Sequence, residues 1–291
     1  MRSYLNHFFK DFEYEEKDAK HLLATYNAII ANEDASVILN EILSAYKENI
    51  SLDSPTEIMS RSKQIANITN LHPYTVDILV FICMSKHLKA IYEERGMDLQ
   101  IYKDSVLDIK WKLEECKIVK GICGSFVAAW FAGFFNMTRF ALGRLQFELI
   151  TVNFDYEKNG VKLIKDQSTV INVHIPRTGT PIDKISCDSS YAQAREFFKD
   201  KVSENAAFIC NSWLLYPENK DILSHDSNTY RFMSEYDIVK WRTNIGEDLW
   251  RLFDTDEKNP SRLPTNGSFR SRYVEHLKNG GRVGVGVEIK I

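Results

Sequence analysis

The residues Leu142-Gly143-Arg144-Leu145-Gln146-Phe147-Glu148-Leu149 alternate between apolar and polar, and so do Val170-Ile171-Asn172-Val173-His174-Ile175. Successive side chains on a strand point to opposite faces, so each segment reads as a strand with one apolar and one polar face. Leu145, Phe147 and Leu149 share the first apolar face, and Ile171, Val173 and Ile175 the second. The polar faces carry Arg144, Gln146 and Glu148 on one strand and Asn172 and His174 on the other. Set in one sheet, these five residues line one patch. A half-solvated sheet shows the same alternation. What distinguishes this one is the loop and helix start that follow at once.

Working outward, the first strand is expected to run on to about residue 156. Glu157-Lys158-Asn159-Gly160 then supplies an Asn-Gly turn, a strong hairpin signal. Residues 160–165 return as a strand, and 167–175 form the third member of a meander. Pro176-Arg177-Thr178-Gly179-Thr180-Pro181 ends it. Asp188, Ser189 and Ser190 offer caps for a helix over 191–201. A strand, a loop and a helix N-terminus turn N–H groups and the positive end of the helix dipole toward one point, which suits an anion. Residues 207–215 are apolar almost throughout, as a strand buried on both faces is. With the preceding strand and helix they make a right-handed βαβ unit. Beyond lie a short helix over 228–236 capped by Ser227, a strand over 237–242, a short helix over 247–253, and a helix over 267–278 capped by Thr265. A last alternating strand over 282–290 puts Val283, Val285, Val287 and Ile289 on one face.

Residues 1–118 read as helix throughout. Leu22, Leu23, Tyr26, Ile29 and Ile30 repeat at helical spacing, and Ile78, Phe81, Ile82, Ser85, Leu88 and Tyr92 form another stripe after Pro73. Asp34 offers a cap to the helix carrying Ile38, Ile42 and Tyr46. Ser54-Pro55-Thr56-Glu57 has the form of a capping box. Residues 121–138 carry no charge but include three glycines, Ser125, Asn136 and Thr138. They read as a buried helix rather than a membrane span.

Of the 291 residues, 44% are hydrophobic and 26% charged, with a formal net charge of −3. No basic face suggests nucleic acid. Five dispersed cysteines, Cys83, Cys116, Cys123, Cys187 and Cys210, without a Cys-x-x-Cys pair, argue against a disulfide framework and a structural zinc site. They fit reduced thiols in a cytoplasm. The N-terminal residues have no long apolar core, so no signal peptide is expected. The histidines of the helical half show no metal-ligand spacing.

The order of elements from about 142 to 291 resembles the acyl-CoA N-acyltransferase (GNAT) superfamily. More closely, the chain resembles a bacterial family of GNAT-like proteins with an added helical N-terminal domain. The stretches that carry the resemblance are residues 142–148, His174-Ile175-Pro176 with Gly179, residues 210–215, Ser227-Asn228 with Phe232, and Gly280-Gly281. It implies an α+β chain: a helical domain over 1–118, then over 119–291 a mixed, mostly antiparallel sheet flanked by helices. It also implies acetyl-CoA or another acyl-CoA as co-substrate, no metal, and a small-molecule acceptor, an amine or similar nucleophile that attacks the thioester directly. Neither nucleic acid nor membrane is an expected partner. In that reading the backbone around Arg177, Thr178, Gly179 and Thr180 holds the pyrophosphate. Glu148 and His174 are the base candidates, and Tyr230 or Tyr236 the acid. Arg144, Gln146, Asn172, Ser212 and Asn228 are candidates for substrate contact. The match is uneven. The family's usual Gln/Arg-x-x-Gly-x-Gly/Ala loop is absent, and Pro181 lacks an N–H. In the second-helix pattern, Glu235 holds the position of the family's tyrosine, with Tyr236 one residue later.

Two other functions are compatible with the same residues. One is a GNAT-like module that has lost CoA and binds a small ligand or a protein without catalysis. The other is a covalent transferase or hydrolase using Cys210 and His174, which requires those side chains within hydrogen-bonding reach.

Overall fold

The computed structural model describes residues 1–48, 55–244 and 246–291. The chain forms two compact units, Met1–Phe140 and Ala141–Ile291.

The first unit is helical: α1 (Arg2–Asp11), α2 (Glu16–Ala31), α3 (Glu33–Glu48), α4 (Pro55–Thr69), α5 (Pro73–Glu94) and α6 (Leu99–Lys120). Helix α5 packs against the other five. The run from Val76 to Ser85 is buried on every side, not along one stripe. A helix apolar all round belongs at a core's centre. Pro73 opens it, with His72 Nδ1 accepting from the Tyr74 amide. Asp98 caps α6, and Gly121 closes it with left-handed backbone. Asn32, rather than Asp34, accepts from an amide at the start of α3. Ser54 lies outside the described residues.

Residues 121–138 do not form the continuous helix expected of them. They make a 3-10 turn (Ala128–Phe131) and one helical turn, α7 (Ala132–Phe135). Their glycines explain this. A Cβ on Gly124 would stand 2.5 Å from the Tyr74 carbonyl carbon, because this segment docks on the start of α5. There Ser125 donates to the Tyr74 carbonyl, and Thr75 to that of Cys123. No helix among the described residues is long and apolar enough to cross a membrane.

The second unit is built on a sheet of order β1-β2-β5-β6-β8-β7. Its strands are β1 (Arg139–Leu142), β2 (Leu145–Thr151), β5 (Thr169–His174), β6 (Phe208–Ser212), β7 (Asp237–Asn244) and β8 (Val283–Lys290). Between β2 and β5 the chain leaves to form a separate hairpin of β3 (Tyr156–Lys158) and β4 (Val161–Ile164). The expected three-membered meander is therefore a direct antiparallel β2/β5 pair with a hairpin excursion. The excursion has a packing reason. Ile164 and Tyr156 join Val152, Val170, Ile209 and Ile289 in an apolar cluster on one face of the sheet. On the other face, Phe147 packs edge-on and Phe208 tilted against Tyr191 of α8 (Lys184–Phe198). Strands β5 and β6 are parallel, and β8 lies antiparallel between β6 and β7. The remaining elements are a 3-10 turn (Trp213–Leu215), α9 (Asn219–Ile222), α10 (Asn228–Ser234), α11 (Leu249–Phe253) and α12 (Ser268–Lys278).

Gly143 breaks the first alternating run near its start, and β2 begins only at Leu145. The glycine has φ +70°, and a Cβ there would meet the Ser190 hydroxyl at 2.7 Å. The turn lets the Arg144 amide donate to Ser190 Oγ at 2.7 Å, tying β1–β2 to α8. Gly143→Ala combines left-handed backbone with a clash. It is expected to cost about 1–3 kcal/mol, read as a lower midpoint in thermal denaturation.

Candidate active site

The site is built from strand register. Gln146 stands opposite His174, and Glu148 opposite Asn172. Paired residues share a face, so all four point away from α8, on the face that carries Val170. The apolar cluster fills one end of that face. At the other end, His174 Nε2 lies 2.7 Å from Glu148 Oε1, and Asn172 Nδ2 donates to the same oxygen at 3.0 Å. His174 and Glu148 are 17% and 16% exposed, enough to meet a ligand while excluding most water. An ionised carboxylate oxygen only accepts, so a His174 Nε2 at 2.7 Å from it carries a proton whether the ring is neutral or charged. In the neutral ring the basic nitrogen is Nδ1, and the carboxylate stands where imidazolium charge would develop. Gln146 is buried beside them.

The parallel β5/β6 ladder adds a residue to this face. Asn172 pairs with Ile209 and Val173 with Cys210. Pairing stops there, while β6 runs on to Ser212. Asn211 and Ser212 of β6 thus have no partner on β5, and this unpaired end of the ladder lies beside His174. By alternation from Ile209, the exposed Asn211 points to the His174 side. Sequence reading chose Ser212 instead. Its side chain lies on the α8 side, and its hydroxyl accepts from the Leu214 amide to cap the 3-10 turn.

The same register overturns the covalent Cys–His reading. Cys210 pairs with Val173, so its thiol lies on the face opposite His174. It is fully buried, and burial pushes its pKa up, away from thiolate.

Arg144 sits in the turn before β2 rather than on the polar face. Its guanidinium donates to the carbonyls of Pro176, Thr180 and Pro181 at 2.9–3.2 Å. It is a clamp that fixes the curve of the loop after β5. Within that loop, Gly179 has φ +76° and the Thr178 and Thr180 hydroxyls are 2.7 Å apart. Two of its amides are engaged internally: Thr178 donates to the Pro176 carbonyl and Thr180 to the Thr178 hydroxyl. Arg177 is ion-paired with Asp254 at 2.5 Å, and Asp254 also pairs with Arg270. Burial raises the Asp254 pKa, but the two guanidinium groups outweigh it and the net shift is downward.

Helix α8 starts at Lys184, seven residues before the expected Tyr191, because Asp183 is its cap. The Asp183 carboxylate accepts from the Ser186 amide at 3.0 Å and from its hydroxyl at 2.7 Å. These bonds lower its pKa. The helix N-terminus thus meets a built-in carboxylate. Asp183-x-x-Ser186, two residues after Pro181, was the available signal.

The two tyrosines differ. Tyr236 follows α10, is buried, and its hydroxyl lies 2.6 Å from that of Tyr191. Burial pushes both phenols up, so they remain protonated at neutral pH. The pair lies on the α8 side. Tyr230 is half-buried and packs its ring on His225. Asn228 is the exposed first residue of α10, whose cap is Ser227. Among the described residues, no group of three or more His, Cys, Asp or Glu side chains is placed to hold a metal ion.

A mixed sheet whose one parallel pair ends beside a polar face, with a loop and helix start following, is the arrangement of an N-acyltransferase fold. Comparison with known proteins agrees. The family model of the GNAT-like C-terminal domain matches residues 140–288, and that of the N-acyltransferase N-terminal domain matches residues 3–137. The chain belongs to this GNAT-like acyl-CoA N-acyltransferase family, with a helical N-terminal domain. The resemblance and the α+β fold expected from the sequence are borne out. A solved acyltransferase in complex with decanoyl-CoA and teicoplanin is similar over 98% of this chain and 86% of its own, at 19% identity and a TM-score of 0.73. An acyltransferase with decanoyl-CoA matches over the same shares at 18% identity and 0.74, and one with CoA and 10C-teicoplanin at 19% and 0.74. Likeness at this identity speaks for the fold. No curated protein sequence matches the chain.

Proposed function

We propose that the protein transfers an acyl group from an acyl-CoA to the amine of a small-molecule acceptor, with His174 and Glu148 as the base. The observation that carries this is the Glu148–His174–Asn172 cluster, set beside the point where β5/β6 pairing ends, in a chain of this family. Similar folds hold decanoyl-CoA, and one holds a glycopeptide as well, which supports an acyl-CoA donor and a small-molecule acceptor here.

In this reading the thioester enters a gap between β5 and β6 at this unpaired end. The amine nitrogen adds to its carbonyl, the C–S bond breaks, and the thiolate leaves. His174 takes the ammonium proton, and Glu148 stabilises the imidazolium while holding the ring's orientation. Asn172 holds Glu148 in turn. Asn211 and Gln146 face the same side and orient the acceptor. The Tyr191–Tyr236 pair, reaching the gap from the α8 side, donates a hydrogen bond to the departing sulfur. Residues 177–180, curved by Arg144, meet the pyrophosphate, and Arg177 exchanges Asp254 for a phosphate oxygen.

Two observations favour the non-catalytic alternative: the Asp183 carboxylate at the α8 N-terminus and the engaged amides of the loop. A thermal-shift titration separates the readings. Acetyl-CoA, CoA or decanoyl-CoA at a hundred times its Kd is expected to stabilise the protein by about 2.7 kcal/mol. No shift with any of them would favour the module without CoA.

Asp183 supplies a second check. Asp183→Asn keeps the cap, since asparagine caps as well as aspartate, and removes a negative charge facing the pyrophosphate. It is expected to tighten CoA binding severalfold at low salt, and less at high salt. Calorimetric titration at two salt concentrations reads this directly.

A further inference from the structure

Glu288 lies within β8, opposite Cys210 of β6 and Ile238 of β7. It is fully buried, and among the described residues neither carboxyl oxygen has a hydrogen-bond partner. A buried polar group without a partner is costly, and in a native structure it points to a partner that arrives from elsewhere. The neighbours are committed. The Tyr191 and Tyr236 hydroxyls bond each other, and the one O–H this leaves is assigned above to the departing sulfur. Lys290, two residues along β8 on the same face, bonds Glu235 and lies over the Tyr191 ring. Cys210 is a buried thiol. Lys220 and Asp237 act on Glu288 through their charge alone, in opposite directions.

Register sets Glu288 level with the place where β5/β6 pairing ends. Val173 and Cys210 are the last β5/β6 pair, and Glu288 is the cross-strand partner of Cys210. Such partners are about 5 Å apart, so Glu288 stands one strand beyond the gap, with Cys210 between, on the α8 side of the sheet. An acyl chain that turns toward α8 from a thioester in the gap and passes Cys210 runs toward this residue.

Resting on the acyltransferase reading above, we infer that Glu288 selects the acyl group: the favoured donor carries a hydroxyl or oxo group near its third carbon, and Glu288 hydrogen-bonds it. Burial pushes the carboxyl up to about 8, so at neutral pH it is protonated and can both donate and accept. A plain alkyl chain at that point leaves it unpaired. A site built to bond a substrate hydroxyl rejects the analogue lacking it far more strongly than an apolar pocket rejects an extra methylene.

The test is calorimetric binding of CoA, butanoyl-CoA, 3-hydroxybutanoyl-CoA, decanoyl-CoA and 3-hydroxydecanoyl-CoA to the wild type, Glu288→Gln and Glu288→Leu. The wild type is expected to bind each 3-hydroxyacyl-CoA at least about tenfold tighter than its plain counterpart. Glu288→Leu loses that preference while binding CoA itself as before. Glu288→Gln, whose amide also donates and accepts, keeps part of it. Equal binding of hydroxylated and plain chains by the wild type, with CoA bound, overturns this inference and leaves the transferase reading standing. So does a preference that survives in a folded Glu288→Leu. Failure of CoA to bind at all overturns both.

Discussion

Alanine in place of His174 is expected to lower acyl transfer by about 10²–10⁴-fold, the usual worth of a positioned base. The nitrogen that adds to a thioester must shed a proton to become an amide, and His174 is the imidazole at the polar end of the sheet face. The same variant is expected to bind CoA nearly as well as the wild type. Its ring lies on the strand, while the proposed CoA contacts lie in the loop after it. A loss confined to kcat marks a base; a loss in CoA affinity alone would mark a binding role. Glu148→Gln retains an oxygen at 2.7 Å reach of Nε2 but removes the charge that stabilises imidazolium. Its expected loss is smaller, on the order of 10-fold to 100-fold, and steepest in kcat. Following thiol release from acyl-CoA with an excess of amine acceptor, beside circular dichroism to confirm folding, measures both. Rates unchanged in His174→Ala would move the base elsewhere.

The second large effect concerns stability. In the unfolded chain Glu288 titrates near its ordinary value of 4.5, and in the fold burial pushes it up to about 8. Lys220 opposes that shift and Asp237 reinforces it. Between these values the folded chain holds a proton that the unfolded chain has lost. The stability from this group is therefore complete below pH 4.5, falls by about 1.4 kcal/mol per pH unit above it, and levels off once the folded carboxyl ionises near 8. Glu288→Gln cannot ionise and lacks this slope. It is expected to gain on the wild type steadily from pH 5 to pH 8, as read by urea denaturation at several pH values. Parallel curves for the two proteins would mean that Glu288 titrates as an ordinary carboxyl.

How far the sequence carried depended on whether a signal was local. Alternation alone placed Gln146, Glu148, Asn172 and His174 on one face, and the structure brings the last three into contact. Arg144 escaped because Gly143 takes left-handed backbone and turns the chain before the strand begins. Asn211 and Ser212 were exchanged because the choice rests on the β5/β6 register, a pairing across more than thirty residues that no periodicity encodes. The start of α8 was misread because Asp188-Ser189-Ser190 looks like a cap and Asp183 is one. In residues 121–138 an uncharged composition outweighed three glycines, yet Gly124 is there to let the segment touch the backbone of Tyr74. Glu288 carried no signal: one acidic residue in an alternating strand looks solvent-facing until β7 and β6 flank it on both sides.

The most direct measurement is a crystal structure of the protein with decanoyl-CoA. The expected result has the pyrophosphate against residues 177–180 with Arg177 turned from Asp254 to a phosphate oxygen. The sulfur would lie between β5 and β6 beyond Val173 and Cys210, and the thioester carbonyl carbon would be open to attack from the His174 side. A CoA seated anywhere else on the second unit, or a thioester reached only from the α8 side, would contradict the assignment of His174 and Glu148 as the base.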